Sequence, residues 1–390
     1  MRILLVTPFV PVAMARSGGS AYLAALVSAL ADRADLGLVA LADEARLEPH
    51  GNAPWKWLGT AQSHDAKGRT GLRRLQTLWR WRHLPLVAAK AWQSDITELL
   101  ARARTEFAPD VALVEMAQMA QYLPCLRGIP TILTDHEAGC AANTRTGLGQ
   151  LGDRRDRHLW RNYVLRHFKQ ATAVQAVTPE DADLLQNMLG RTVLARPPAA
   201  LIAATPVDPA TAPPRMLFLG DYRHGPNPEA ADRLVRDVLP RVRELEPRAE
   251  LWLAGPNEAA IRHLAAFPGV RVLGFVADLA GLFAQVRLLL APVWSGHGFR
   301  VKVMSALAHG LPVVTNILGA RGCTAPPPAV TTCNDASELA GAVARLLGSP
   351  DLARSAGKAA FEWASQNLQA DALATWQLRR VTELLAPTPT

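Results

Sequence analysis

The chain's 390 residues exceed one ordinary domain, and 49% hydrophobic against 19% charged residues is the balance of a protein that buries sizeable cores. That balance excludes extensive disorder, leaving only the terminal "APTPT" as an expected loose tail. The net charge of +8 favours a polyanionic partner, an anionic membrane surface or a phosphorylated ligand, and does not choose among them.

"RILLVTPFV" is a short apolar run with the pattern of a buried strand. A Gly18-Gly19 turn is expected after it, then a helix with Leu23, Leu26, Val27 and Leu30 on one stripe. Pro8, Pro11 and Ser17-Gly18-Gly19 break this start too early for a secretory signal, and no apolar run reaches the roughly 18–20 residues that span a bilayer. The expected location is the cytoplasm, with any membrane contact made from the side at the inner face. Cys125, Cys140, Cys323 and Cys333 lie far apart without a C-x-x-C pair, as reduced thiols do.

Further strands are predicted at "LGLVALA", "VALVEM", "PTILTDHE" and "TAVQAVT", with helical stretches between them. Strands apolar on both faces and alternating with helices predict a doubly wound parallel sheet over residues 1–197. Residues 198–213, within "RPPAALIAATPVDPATAPPR", have the composition of an extended linker. The pattern then restarts over 214–368, with strands at "RMLFLGDY", "AELWLAGP", "VRVLGF", "VRLLLAPV" and "LPVVTN". A final helix and tail, 369–390, could pack back on the first domain. Such sheets bind ligands in loops at the carboxyl ends of their strands, so a cleft shared by the two domains is expected to hold the chemistry.

One of these loops stands out. "PVWSGHGFRVKVMSALAHGLPVVTN" places Gly296, Gly298, Arg300 and Lys302 around a helix start. Unpaired N–H groups, the positive dipole end and two cations suit an anion, and a diphosphate is the natural one. The bland alternative is two solvated first-turn residues. Cations there slightly disfavour the helix, which argues for the anion.

"FLGDYRHGPNPEAADRL", "LWLAGPN", "RVLGFVADLAGLFAQVRLLLAPV" and "GFRVKVMSALAHGLPVVTNILGARG" follow in an order and spacing that resembles the donor half of GT-B glycosyltransferases of family four, in an Arg-x-Lys subgroup. "TPFVPVAMARSGGSAYLAAL" resembles that family's glycine loop. The resemblance implies a GT-B fold, two facing Rossmann-like domains, and retaining, metal-independent transfer of a sugar. The donor would be a UDP- or GDP-sugar and the acceptor a glycan or lipid-linked intermediate. No cofactor is implied, because the nucleotide sugar is a substrate.

By the same resemblance, Gly18 and Gly19 line the donor diphosphate and His136 orients the transferred sugar. Arg223, Gly298, Arg300, Lys302, Ser305, Gly319 and Gly322 hold the donor, with Ala320 in the last turn. Gly274, Phe275 and Val276 contact the base. Departure of a nucleoside diphosphate needs electrostatic stabilisation more than a strong base, which suits this acid-poor cluster. His297 and Ser305 stand where the family has two glutamates, so a changed donor or a non-catalytic GT-B binding protein is the rival reading. A nucleotide-sugar epimerase on the same fold is a third.

Read from its own residues, His136 is flanked by Asp135 and Glu137 after a strand, a placement open to proton handling or to a structural role, and Glu115 ends the neighbouring strand. Asp181-x-Asp183 belongs to a helix N-terminus and not to a metal site. Residues 69–83 mix Arg69, Arg73, Arg74, Arg80 and Arg82 with Leu72, Leu75, Leu78, Trp79 and Trp81. That mixture suits peripheral contact with an anionic membrane, or a basic face whose aromatics pack inward. No fold signature for nucleic acid accompanies it, and none is expected as a partner.

Overall fold

A computed structural model describes residues 1–11, 18–42, 54–62, 71–138, 149–296, 298 and 300–386. The chain divides into two compact units, one of residues 1–11, 26–197 and 371–390, the other of 12–25 and 198–370.

The first unit holds seven strands: β1 (Arg2–Thr7), β2 (Asp35–Ala42), β3 (Trp55–Gln62), β4 (Val111–Glu115), β5 (Thr131–Asp135), β6 (Ala173–Ala176) and β7 (Val193–Ala195). They form one parallel sheet in the order β3-β2-β1-β4-β5-β6-β7. β4 and β5 are buried at every position, as central strands covered on both faces are, Glu115 and Asp135 at their carboxyl ends included. The reversal of strand order on either side of β1 is the switch point at which ligand crevices form in such sheets.

Gly18 and Gly19, expected as a turn, instead open the helix Gly18–Leu30. The helix Pro179–Leu189 starts where sequence placed it: Thr178 caps it by accepting the Asp181 N–H at 3.1 Å. The last helix, Ala370–Leu385, is counted with the first unit from Asp371, and Arg33 donates to the Asp371 carboxylate at 2.9 Å and to Thr375 at 2.8 Å.

The second unit has six strands: β8 (Arg215–Leu219), β9 (Glu250–Ala254), β10 (Val270–Gly274), β11 (Leu288–Leu290), β12 (Val313–Asn316) and β13 (Val330–Cys333). They are parallel in the order β10-β9-β8-β11-β12-β13. Successive residues alternate faces, so Phe218 joins one core and Leu217 the core on the opposite side. Each fully buried side chain of this size contributes about 1.5–3 kcal/mol.

The helix Pro226–Arg233 runs through a π turn, Leu234–Val238, into Leu239–Leu245, where Pro240 lacks the donor that a regular turn would need. The stretch predicted as a linker is extended and fastened to the second unit. Ala200, Ala203 and Val207 donate backbone bonds to Leu368, Ala308 and His309 at 3.1, 3.0 and 2.8 Å.

Candidate functional site

In the first unit, β4 and β5 deliver Glu115 and His136 to their carboxyl ends. Glu115 is fully buried, yet it accepts a bidentate pair from Arg196 at 2.7 and 2.9 Å and a bond from His136 Nε2 at 2.8 Å. Burial alone would raise its pKa; Arg196 and then His136 outweigh burial and hold it at about 2. An ionised Glu115 accepts only, so His136 carries its proton on Nε2 and the carboxylate sets the ring's orientation.

Beside them, Asp135 is buried and its pKa is pushed up to about 7, first by burial and then by the charges of Asp181 and Glu137. Its Oδ1 accepts the Glu137 N–H at 3.0 Å, while Oδ2 has no hydrogen-bond partner among the described residues. Arg196 is the functional residue that sequence reasoning missed here, because it sits in the proline-rich run read as linker. The one available signal was an arginine directly after the short apolar "TVLA".

In the second unit, the loops after β8, β9, β10, β11 and β12 gather at one sheet edge. Arg300 precedes the helix Val301–Ala308 and makes no side-chain capping bond to its first N–H groups. The Arg300 guanidinium donates to the carbonyls of Leu318 at 3.2 Å and Gly296 at 3.1 Å, tying the loop after β11 to the turn after β12. Gly296 and Gly298 adopt φ of 105° and 81°, which side chains rarely do. His297 lies outside the described residues.

Lys302 is partly buried; its amine donates to Asn227 Oδ1 at 3.0 Å and lies 4.2 Å over the Phe218 ring. Desolvation, and next the charge of Arg300, lower its pKa to about 7. Ser305 stands one turn on in the helix, half-buried, its carbonyl accepting from His309 Nδ1 at 2.7 Å.

The remaining predicted residues take up supporting places around this loop. Arg223 is exposed and folds back onto Asp221 at 3.3 Å, an acid that also accepts from Asn257 at 2.7 Å. His224 is exposed beside it. Gly274 ends β10, and Phe275 is 42% exposed with Val276 half-buried behind it. The buried Gly319 is essential to its turn, since a Cβ there would lie 2.6 Å from the Ala291 carbonyl. Asn316 Oδ1 accepts from Gly319 at 2.8 Å and from Val293 at 3.2 Å, fixing the turn that Ala320 and Gly322 complete. Asn227 and Asn316 are thus orienting amides that sequence reasoning did not single out.

Residues 213–349 match the sequence profile of the family described as Glycosyl transferases group 1. The matched segment lies wholly within the second unit. Solved structures extend the likeness to the whole chain and show the GT-B fold. Sucrose-phosphate synthase from Thermosynechococcus elongatus superposes with a TM-score of 0.71 at 16% identity, covering 99% of this chain and 100% of that one. Anabaena HepE in complex with UDP gives 0.61 at 15%, covering 98% and 100%. WaaG, a glycosyltransferase of lipopolysaccharide biosynthesis, gives 0.62 at 13%, covering 97% and 99%. No protein with a curated description matches this sequence. The loop of Gly296, Gly298, Arg300 and Lys302 lies within the matched segment.

Proposed function

We propose that the protein transfers a sugar from a UDP- or GDP-sugar to a glycan or lipid-linked acceptor, with retention of configuration and without a metal or cofactor. The observation that carries the donor site is the uncapped start of the helix Val301–Ala308, flanked by Gly296, Gly298, Arg300 and Lys302 in the matched segment. The Lys302 amine is held in place by Asn227 and waits in a poorly solvated setting, where an arriving diphosphate strengthens its charge. Arg300 keeps the loop in shape and adds positive potential as the leaving group becomes negative.

Gly274, Phe275 and Val276 are the proposed base contacts, Ser305 the ribose contact, and Arg223, Gly319 and Gly322 flank the phosphates. Gly18 and Gly19 are further proposed phosphate neighbours, and in the first unit His136, oriented by Glu115, is the group proposed to contact the transferred sugar. Ser305 favours the second reading, a binding protein without catalysis, because a short neutral hydroxyl replaces the acid that the resembled family presents to the ribose.

Calorimetric titration with UDP, GDP and their sugar conjugates decides between them. Micromolar binding of one base, weakened at least tenfold by Lys302→Gln, is the expected result. Absence of binding by every one, in protein that melts cooperatively, would leave only the non-catalytic reading.

A further inference from the structure

The first unit concentrates exposed apolar side chains in one place. The helix Gly71–Arg80 carries Leu75, Leu78 and Trp79 at i, i+3 and i+4, exposed at 64%, 44% and 64%. Its C-terminal end is anchored. The Arg80 guanidinium lies 3.7 Å over the Trp92 ring, and buried Trp81 donates Nε1–H to Asp156 at 2.7 Å, an oxygen that also takes the Leu86 N–H at 2.7 Å. The basic stretch therefore divides into two roles. Arg80 and Trp81 fasten the helix to the domain, and the Leu75, Leu78 and Trp79 stripe is left facing solvent.

The surroundings of that stripe are cationic. Residues 71–93 contain five Lys or Arg and no Asp or Glu. Arg82 is exposed, and Arg155 of the helix Gly149–His167 lies 5.0 Å over the Trp81 ring and donates to the Arg82 carbonyl at 3.5 Å. One turn before Arg155, on the same face of its helix, Leu151 is 79% exposed, and Arg154 is exposed beside it.

An apolar stripe flanked by arginines, with Asp156 turned inward to Trp81 and Asp153 the partly exposed acid of the neighbouring helix, is complementary to one kind of surface, anionic headgroups over acyl chains. Nucleic acid would use the charge but leave Leu75, Leu78 and Leu151 without a partner.

We propose that this face docks on an anionic lipid bilayer. Leu75, Leu78 and Trp79 enter the boundary between headgroups and acyl chains, while Arg82 and Arg154 meet lipid phosphates. The proposal stands apart from the transfer reaction, since docking needs neither donor nor acceptor.

Flotation of the full chain with phosphatidylcholine vesicles, with and without phosphatidylglycerol, tests it. Binding is expected only with the anionic lipid and falls with added salt. Each cation near the surface is worth about a fivefold change in partitioning. Arg82→Glu with Arg154→Glu should therefore lower binding well over tenfold, and Leu75→Ser with Trp79→Ser at least tenfold. Arg82→Lys, which keeps the charge, should bind as the wild type does. All of these positions are exposed, and an unchanged thermal melt confirms that the variants remain folded. Equal binding to neutral vesicles, or double variants that bind like wild type, would overturn the proposal. So would protein that ignores vesicles while binding single-stranded nucleic acid in a salt-sensitive way.

Discussion

Lys302 allows the proposed donor site to be probed by pH alone. With a pKa of about 7 in the empty protein, the amine is charged in about half the molecules at pH 7 and in about one of eleven at pH 8. A diphosphate binds the charged form, and its own ionisation is complete by about pH 7. The apparent Kd should then rise about fivefold from pH 7 to 8 and about ninefold from 8 to 9, some 2 kcal/mol in all. Calorimetry at pH 8 in two buffers of different ionisation enthalpy should show uptake of about 0.9 proton per bound nucleotide. Lys302→Gln should bind weakly and without pH dependence.

The same group acts in the opposite sense on the empty fold. Folding lowers its pKa from 10.5 to about 7, so the unfolded chain holds more protons between those values and stability rises with pH across that window. Below pH 7 the penalty is present in full, and Lys302→Gln should stabilise the unliganded protein by about 1–2 kcal/mol. Nucleotide affinity independent of pH, or a pH slope that survives in Lys302→Gln, would refute this account of the site.

Two further predictions concern the first unit. Glu115→Gln leaves the buried Arg196 charge unpaired and should cost about 3–5 kcal/mol by chemical denaturation, most of it recovered when Arg196→Met is added. Because folding lowers the Glu115 pKa from 4.5 to about 2, its stabilisation is complete above pH 4.5 and disappears as pH falls through 2. Asp135 has the reverse sign. Its pKa rises from 3.8 to about 7, so stability declines with pH between those values, and Asp135→Asn should flatten that part of the melting profile. A profile unchanged by the substitution would count against a protonated Asp135.

The interior of each sheet was legible because strands buried on both faces are written as apolar runs. The strands that escaped prediction, β3, β7 and β13, each end a sheet. β3 mixes Trp55, Trp57 and Leu58 with Lys56, Gly59 and Thr60 and shows no clean apolar run; β7 and β13 are three and four residues long, too short for a periodicity to register. The glycine loop with Arg300 and Lys302, the proposed donor site, stood out in the sequence because its residue types are unusual at a helix start. What remained hidden depends on long-range approach. The Arg196–Glu115 pair joins residues 81 positions apart, and the Asn227–Lys302 bond joins residues 75 apart. The inward turn of Arg80 and Trp81 was hidden as well, since sequence alone does not show which side of a basic helix has a neighbour.

The return of the last helix to the first unit makes that unit discontinuous in the chain, whereas residues 198–370 of the second are consecutive. During synthesis the first sheet is made early but its covering is not. Leu373, Ala374, Gln377 and Val381, all buried, arrive only after the whole second unit has left the ribosome. The later unit can thus close before the earlier one is finished. Loss of the terminal helix would strike the half of the protein that was made first, exposing the surface that Leu373, Ala374 and Val381 pack against and leaving the second unit complete.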